Sequence, residues 1–106
     1  MIECYEDAVL GSTLPALTIA AAPARTLRDA IDSAVRVWSR TGLAEIRMLE
    51  PDTKLSAPID LSARVYARHM DSSGAVQLQI CQDDSTTPVA MAKLTLPIRM
   101  ARMERA

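Results

Sequence analysis

The segment RTLRDAIDSAVRVWSR, residues 25–40, carries the clearest periodic signal in the chain and decides the fold class. Its apolar residues recur at alternating spacings of three and four, which places them on one face of a helix. They are Leu27, Ala30, Ile31, Ala34, Val35 and Trp38. Pro23 and Thr26 suit the start of this helix. Arg36 and Arg40 suit its carboxyl end, and Gly42 is expected to end it in a left-handed conformation. We therefore predict one amphipathic helix that packs on a sheet.

After this helix the period of the apolar pattern changes from 3.6 to 2, which predicts strands. Four such segments follow, at residues 44–48, 59–69, 76–81 and 89–100. Asp71–Gly74 supplies turn residues between the second and the third, which predicts an antiparallel hairpin. Pro97 favours a strand end. Residues 2–5 and 14–20 are predicted as further strands ahead of the helix. The predicted fold class is α+β, with one long helix packed on a mainly antiparallel sheet.

Length and composition limit both the size of the protein and its chemistry. At 106 residues the chain is expected to form a single domain, residues 1–106, and its hydrophobic fraction of 49% suffices for a packed core. The 12 basic residues balance 13 acidic ones, which argues against the strong positive field of a nucleic-acid-binding protein. The run from Leu14 to Pro23 is too short to span a bilayer, and the amino terminus lacks a secretory pattern. We expect a cytoplasmic protein that binds neither nucleic acid nor membrane.

The cysteine and histidine content argues against a metal site. Cys4, Cys81 and His69 are too few and too widely spaced for the usual zinc ligand sets. We predict no metal and no cofactor. Both thiols are interpreted as small hydrophobic groups of a reduced protein, with a redox pair as the alternative.

Three passages of the chain resemble one known superfamily. They are Tyr5-Glu6-Asp7 with Gly11 and Leu14-Pro15, then Leu49-Glu50-Pro51 with Leu55-Ser56-Ala57 before the long strand, and Pro88-Val89-Ala90 at the start of the last strand. Together they resemble the MaoC-like hydratases and PaaI-like thioesterases of the hot-dog fold superfamily. The resemblance implies a single helix on an antiparallel sheet. It also implies activity on acyl thioesters of coenzyme A or of an acyl-carrier protein.

The same resemblance suggests which residues form a site. PaaI-like thioesterases place a carboxylate on the central helix, and Asp32 can be laid on that position as a general base for water. The amino-terminal turn of the helix, near Arg25 and Thr26, would then polarise the thioester carbonyl. The His-Gly-Gly entry of these thioesterases and the aspartate and histidine of the hydratases are missing from this chain. The alternative is a solvated face in which Asp32 forms ion pairs with Arg28 and Arg36.

The longest predicted strand contributes the remaining candidates. Strict alternation places His69 on the apolar face with Val65, where it is a candidate acid or base. Arg64 and Arg68 fall together on the opposite face, roughly 7 Å apart. Two guanidinium groups at that spacing suit a phosphate, such as those of coenzyme A. A hydrogen-bonded structural histidine and a solvated strand face are the alternatives.

Apolar residues at polar positions of the strands predict association. They are Leu49, Tyr66, Met70, Val89 and Met91. Exposed groups in such number mark a partner surface, so we expect a homodimer, with a heterodimer as the alternative. The predicted function is that of an enzyme acting on acyl-CoA or acyl-carrier-protein thioesters, as a thioesterase or a dehydratase. The alternative is a catalytically degenerate hot-dog subunit that serves as the binding or partner-dependent half of a dimeric enzyme.

Overall fold

In the part of the chain that the structure describes, one long helix packs on one five-stranded antiparallel sheet. The computed structural model describes residues 2–70 and 74–99. The elements in chain order are a short 3-10 helix (Tyr5–Asp7), β1 (Thr13–Ile19), α1 (Leu27–Trp38), β2 (Leu43–Met48), β3 (Ile59–Met70), β4 (Gly74–Gln82) and β5 (Pro88–Leu96). The strand order is β1-β3-β4-β5-β2, and every neighbouring pair is antiparallel. The α+β prediction is confirmed, while the predicted turn at 71–73 lies outside the described residues.

Helix α1 begins where its sequence provides a reciprocal cap. The Thr26 hydroxyl accepts a hydrogen bond from the Asp29 N–H at 3.3 Å, and the Thr26 N–H donates to the Asp29 carboxylate at 3.0 Å. The six apolar residues predicted to face the sheet are all buried, none more than 4% exposed. The periodicity of residues 25–40 therefore predicted the buried face of the helix correctly.

The end of α1 differs from the prediction. The helix ends at Trp38, and Ser39 caps it in an extended conformation, with its N–H bonded to the Val35 carbonyl at 2.8 Å. Gly42 was expected to be left-handed, but among the described glycines only Gly11 has a positive φ. Gly42 instead lies against Leu96 and Ser39, where an added Cβ would come within 2.9 Å of both side chains. A glycine at this position allows close packing against these two side chains, and it does not end the helix.

The two faces of the sheet have different characters. The inner face, which packs on α1, is apolar and buried, and includes Leu61, Ala63 and Val65 of β3, Val76, Leu78 and Ile80 of β4, and Ala90, Ala92 and Leu94 of β5. The outer face carries mostly polar side chains, among them Ser62 and Arg64 of β3, Gln77 and Gln79 of β4, Lys93 of β5, and Glu45 and Arg47 of β2. Because α1 covers one face only, the outer face has no second layer among the described residues.

The amino-terminal segment is not the strand predicted for residues 2–5. The Asp7 carboxylate accepts hydrogen bonds from the N–H groups of Glu3, at 3.0 Å, and Cys4, at 3.2 Å. These donors are then unavailable to a neighbouring strand, and the chain turns into the 3-10 helix instead. Cys4 is buried, and this burial raises the pKa of its thiol. Its interpretation as a small hydrophobic group agrees with that environment.

The hydrogen bonds that the Asp7 carboxylate accepts predict an acid-sensitive contribution to stability. The hydrogen bond from the Glu3 N–H is the main reason that the pKa of Asp7 lies below its ordinary value of 3.8. A lowered folded-state pKa stabilises the protein above 3.8, and this stabilisation disappears as the pH falls through the folded-state value. Asp7→Ala should therefore lower Tm by a few degrees at neutral pH, and the gap to wild type should close at acidic pH.

Thermal melts between about pH 2.5 and 7 test this dependence. Glu3→Gln is the matched control, because it removes a neighbouring carboxylate but keeps the backbone N–H that Asp7 accepts. Its Tm difference should not follow the same pH profile. A gap for Asp7→Ala that stays constant across the range contradicts the role of the charged carboxylate.

Candidate functional site

The amino terminus of α1 was predicted to polarise a thioester carbonyl, but its N–H groups are already bonded. Leu27 N–H donates to the Thr53 carbonyl at 2.7 Å, and Arg28 N–H donates to the Asp52 carboxylate at 3.0 Å. Asp29 N–H donates to the Thr26 hydroxyl. An oxyanion hole needs donors that point at the reacting oxygen. The expectation that this turn offers free donors is therefore wrong.

The segment around Asp52 explains why these donors are occupied. Leu55 N–H donates to the Arg25 carbonyl at 2.9 Å, and Thr26 forms an isolated antiparallel bridge with Lys54. The chain after β2 thus runs along the start of α1 and accepts hydrogen bonds from N–H groups of its first turn. Arg25 is committed as well, since its guanidinium donates to the Ala20 carbonyl at 2.6 Å. Sequence analysis missed Asp52 because its partner lies 24 residues away and no local pattern marks the pair.

Asp32, the predicted general base, forms an ion pair with Arg36. Its carboxylate lies 3.2 Å from the guanidinium one helical turn later, and both side chains are substantially exposed. This is the pairing expected of a solvated helix face. Asp29, one turn earlier, is used in the helix cap. The structure therefore supports the solvated-face interpretation of these two carboxylates.

A bulge in β3 separates the two arginines that were expected to share a phosphate. Val65 pairs with Leu78, but the next paired residue is Ala67, opposite Gln77, so Tyr66 is the extra residue. The inserted residue reverses the alternation beyond it. Arg68 consequently pairs with buried Val76 on the inner side, whereas Arg64 lies on the outer face. The prediction of a shared face is wrong.

The bulge also gives Arg68 and His69 new surroundings. The Arg68 guanidinium lies over the ring of Tyr5, 4.4 Å from its centroid, which is a cation–π contact with a core residue. His69 pairs with Ala75 and is exposed on the outer face. It was expected on the apolar face, so that placement is wrong too. Asp32 projects from α1 on the other side of the sheet, and the two predicted catalytic residues do not meet.

One depression opens beside the start of α1, and another is lined by Arg64. The larger, about 570 Å³, opens beside the start of α1 and is lined by Leu27, Glu50, Pro51, Thr53, Gln82, Asp83, Asp84, Ser85 and Val89. Its charged side chains are all carboxylates. The second, about 330 Å³, lies on the outer face and is lined by Thr13, Ser62, Ala63, Arg64, Gln79, Cys81, Ser85 and Thr86. There Arg64 donates to the Gln79 side-chain oxygen at 2.9 Å.

The charge of the two depressions decides which one suits a phosphorylated ligand. Carboxylates at Glu50, Asp83 and Asp84 repel the phosphates of coenzyme A from the larger depression. Arg64 on the outer face has the charge that a phosphate needs. Of the residues predicted to bind substrate, Arg64 alone keeps an exposed guanidinium beside a depression in the described structure.

Two structural findings concern the possibility of a metal site and of a membrane span. Within residues 2–70 and 74–99, no group of three or more His, Cys, Asp and Glu side chains is placed to hold a metal ion. In the same part of the chain no helix has both the length and the apolar character needed to span a bilayer. Cys4 and Cys81 are both free thiols.

The exposed apolar residues agree only in part with those predicted. Leu49 is 45% exposed and Tyr66 is 54% exposed, as expected. Val89 is buried, because the register between β4 and β5 shifts at this point and Val89 joins the core. Met91 is half-buried, and the side chain of Met70 lies outside the described part. Leu43, which is 77% exposed at the start of β2, was missed.

No protein-family model, curated protein or solved structure matches this chain.

Proposed function

We propose that this protein is a hot-dog-like subunit that binds acyl thioesters as the partner-dependent half of a dimeric enzyme. On their own, the residues that the structure describes form no complete site for hydrolysis or hydration. The observation that carries the proposal is the start of α1, where the N–H groups of Leu27, Arg28 and Asp29 are all bonded within the chain. The acyl-thioester part rests on the sequence resemblance and on the single helix packed against an antiparallel sheet.

Two further observations favour a subunit over a self-sufficient enzyme. Asp32 is paired with Arg36 on an exposed helix face, and His69 lies on the other side of the sheet. A general base must reach the water that it activates and must be free to take its proton. We place the ligand's phosphates at Arg64 on the outer face, and we place the protein in the cytoplasm because both cysteines are free.

The activity test uses the purified protein with a panel of acyl-CoA and enoyl-CoA substrates. Thioester hydrolysis and hydration should stay at the buffer rate for wild type and for Asp32→Asn alike. Activity should appear after a subunit encoded by an adjacent gene is added. Turnover by the isolated protein that falls in Asp32→Asn contradicts the proposal and restores the self-sufficient thioesterase.

The binding test is independent of turnover. Equilibrium dialysis should show that acyl-CoA binds to wild type and that Arg64→Gln weakens this binding about tenfold, the loss expected for one charge-assisted phosphate contact. Arg36→Gln is the matched control, since it removes an exposed arginine from the helix instead. Equal affinities for both variants contradict the assignment of Arg64, and no binding by wild type contradicts an acyl-CoA ligand.

A further inference from the structure

One row of directly paired residues crosses the outer face of the sheet through all five strands. In order across β1, β3, β4, β5 and β2, its members are Thr13, Arg64, Gln79, Met91 and Arg47. Residues paired in this way point to the same side of the sheet, and both arginines are exposed there. Three strand spacings separate β3 from β2, which puts the Cα atoms of the two arginines about 14 Å apart. The row therefore has one guanidinium on each side of its centre.

Each of these arginines lines a depression of the outer face. The depression of about 330 Å³ described above contains Arg64. A further depression, of about 360 Å³, contains Arg47 and Lys93. Gln79 lines the first and Met91 lines the second, and these two residues are direct neighbours in the row. The two depressions are therefore adjacent, with one pair of side chains between them.

The cations of both depressions are available to an anionic ligand. Among residues 2–70 and 74–99, neither Arg64 nor Arg47 nor Lys93 forms a salt bridge. Arg64 donates to the uncharged side chain of Gln79, which uses one of its five N–H donors and leaves its charge uncompensated. Guanidinium groups bind phosphate oxygens through charge-assisted hydrogen bonds, often two at a time. The outer face thus offers positive charge at two separate points.

The two depressions differ in the polar groups that accompany the arginines. Beside Arg64 the lining includes the hydroxyls of Thr13, Ser62, Ser85 and Thr86 and no carboxylate. One guanidinium with hydroxyl donors suits a single phosphate monoester. The other depression has two cations and one carboxylate, Glu45, which pairs across the strands with Lys93. Two cations suit the larger group of a diphosphate.

The centre of the row offers a surface for an uncharged ring. Met91 is half-buried there, between Gln79 and Arg47. The thioether of methionine is polarizable and makes favourable contacts with aromatic rings. A single phosphate cannot contact two guanidiniums whose Cα atoms are about 14 Å apart, but two phosphates joined through a sugar ring can lie beside one guanidinium each. A base attached to that sugar would lie over Met91.

We propose that the outer face of the sheet binds a nucleotide with phosphates on both the 3′ and the 5′ oxygen of its ribose. The 3′-phosphate binds at Arg64, and the 5′-phosphates bind at Arg47 and Lys93. The inference deepens the proposed function and rests on it for the thioester end of the ligand. Coenzyme A carries such a nucleotide, whereas the phosphopantetheine arm of an acyl-carrier protein has one phosphodiester. The substrate class is therefore the coenzyme A thioesters.

Titration calorimetry with three adenosine nucleotides tests the contact at two points. Adenosine 3′,5′-bisphosphate should bind to wild type about tenfold more tightly than adenosine 5′-monophosphate or adenosine 3′-monophosphate, because each monophosphate lacks one charge-assisted contact. None of the three carries a thioester, so the result does not depend on the proposed function. Equal affinities for all three would overturn the inference. So would the absence of bisphosphate binding at millimolar concentration.

Four variants assign the two phosphates to their depressions. Arg64→Gln should weaken the bisphosphate about tenfold and leave the affinity for the 5′-monophosphate unchanged. Arg47→Gln should also weaken the bisphosphate about tenfold, but it should leave the affinity for the 3′-monophosphate unchanged. Glu45→Gln should tighten binding of the bisphosphate, because it removes a charge that repels phosphate. Arg36→Gln, on the helix, is the matched control and should change no affinity.

The selectivity of these variants can contradict the inference in two ways. Arg47→Gln can bind the bisphosphate as tightly as wild type does, or Glu45→Gln can bind it more weakly. All four positions are exposed, and circular dichroism confirms that each variant keeps the fold.

Coenzyme A itself tests the substrate class. It should bind about tenfold more tightly than 3′-dephospho-coenzyme A, and an acyl-carrier protein should not compete with it. Competition by the carrier protein would overturn the assignment to coenzyme A thioesters. Acyl-CoA binding that depends on Arg64 but not on Arg47 contradicts this inference alone. Nucleotide binding that depends on both arginines, without turnover after the partner subunit is added, contradicts the proposed function alone.

Discussion

Replacing Trp38 with alanine is expected to lower the free energy of unfolding by about 3 to 5 kcal/mol, the cost of a large aromatic side chain lost from a core. Trp38 is fully buried at the end of α1. Its indole N–H donates to the Pro15 carbonyl of β1 at 2.8 Å, and its own carbonyl accepts the Ile2 N–H at 2.9 Å. The residue therefore joins the helix to a sheet edge and to the amino-terminal segment.

Urea denaturation followed by circular dichroism measures this loss. Val37→Ala is the matched control, because Val37 adjoins Trp38 in the helix but is 47% exposed. Its cost should stay within about 0.5 kcal/mol. Equal costs at the two positions contradict the packing of α1 described above. If Trp38→Ala fails to fold, Trp38→Phe supplies the measurement, since it keeps an aromatic ring and loses the hydrogen bond, at about 1 to 2 kcal/mol.

The helix illustrates what sequence periodicity predicts well. Burial of one helix face depends on spacings within a few residues, so the face from Leu27 to Trp38 follows from the sequence alone. The position where the helix ends does not follow from the sequence alone. Gly42 has the sequence features of a left-handed stop, but it is placed by its contact with Leu96, a residue of the last strand. A contact between residues so far apart in the sequence leaves no signal in the local sequence pattern.

The prediction of the candidate site was wrong for the same physical reason, because it depends on contacts between residues far apart in the sequence. Strict alternation assigns faces correctly from Ile59 to Val65, and then one bulged residue, Tyr66, reverses every later assignment. The bulge accompanies bonds from Val65 to the segment before β1, where Gly11 takes a φ of 82°. These partners lie more than fifty residues apart in the chain. Arg68 and His69 therefore exchanged faces, and no feature of their own strand indicated it.

Closure of the helix start by Asp52 is a further long-range effect that bears on function. The residue types at the helix start are those that would suit an anion or a carbonyl oxygen. The structure uses them as ordinary caps, because a loop after β2 supplies a carboxylate and a carbonyl to the same donors. A sequence motif at a helix terminus indicates a binding site only when the rest of the chain leaves its donors free.

Gly74→Ala is expected to destabilise the protein by about 2 kcal/mol, because it overfills a site that has no room for one methyl group. An added Cβ at Gly74 would lie 2.5 Å from Cδ1 of Tyr5 and 2.7 Å from its Cβ and Cγ. Tyr5 has little freedom to move away. Its N–H donates to the Pro97 carbonyl at 2.9 Å, and its ring is covered by the Arg68 guanidinium. The entropy gained by removing a glycine from the unfolded chain, at most about 1 kcal/mol, only partly offsets this clash.

Gly42→Ala is the matched control for this prediction. A Cβ at Gly42 also approaches other atoms to 2.9 Å, but these are the ends of the Leu96 and Ser39 side chains, which can rotate. Its cost should be about 1 kcal/mol or less. In a Tyr5→Gly background, where the Cβ and the ring atoms are both gone, the cost of Gly74→Ala should fall by more than half. Strictly additive costs in this double-mutant cycle would show that Tyr5 does not fill the space over Gly74, and that the amino-terminal segment does not close this end of the core.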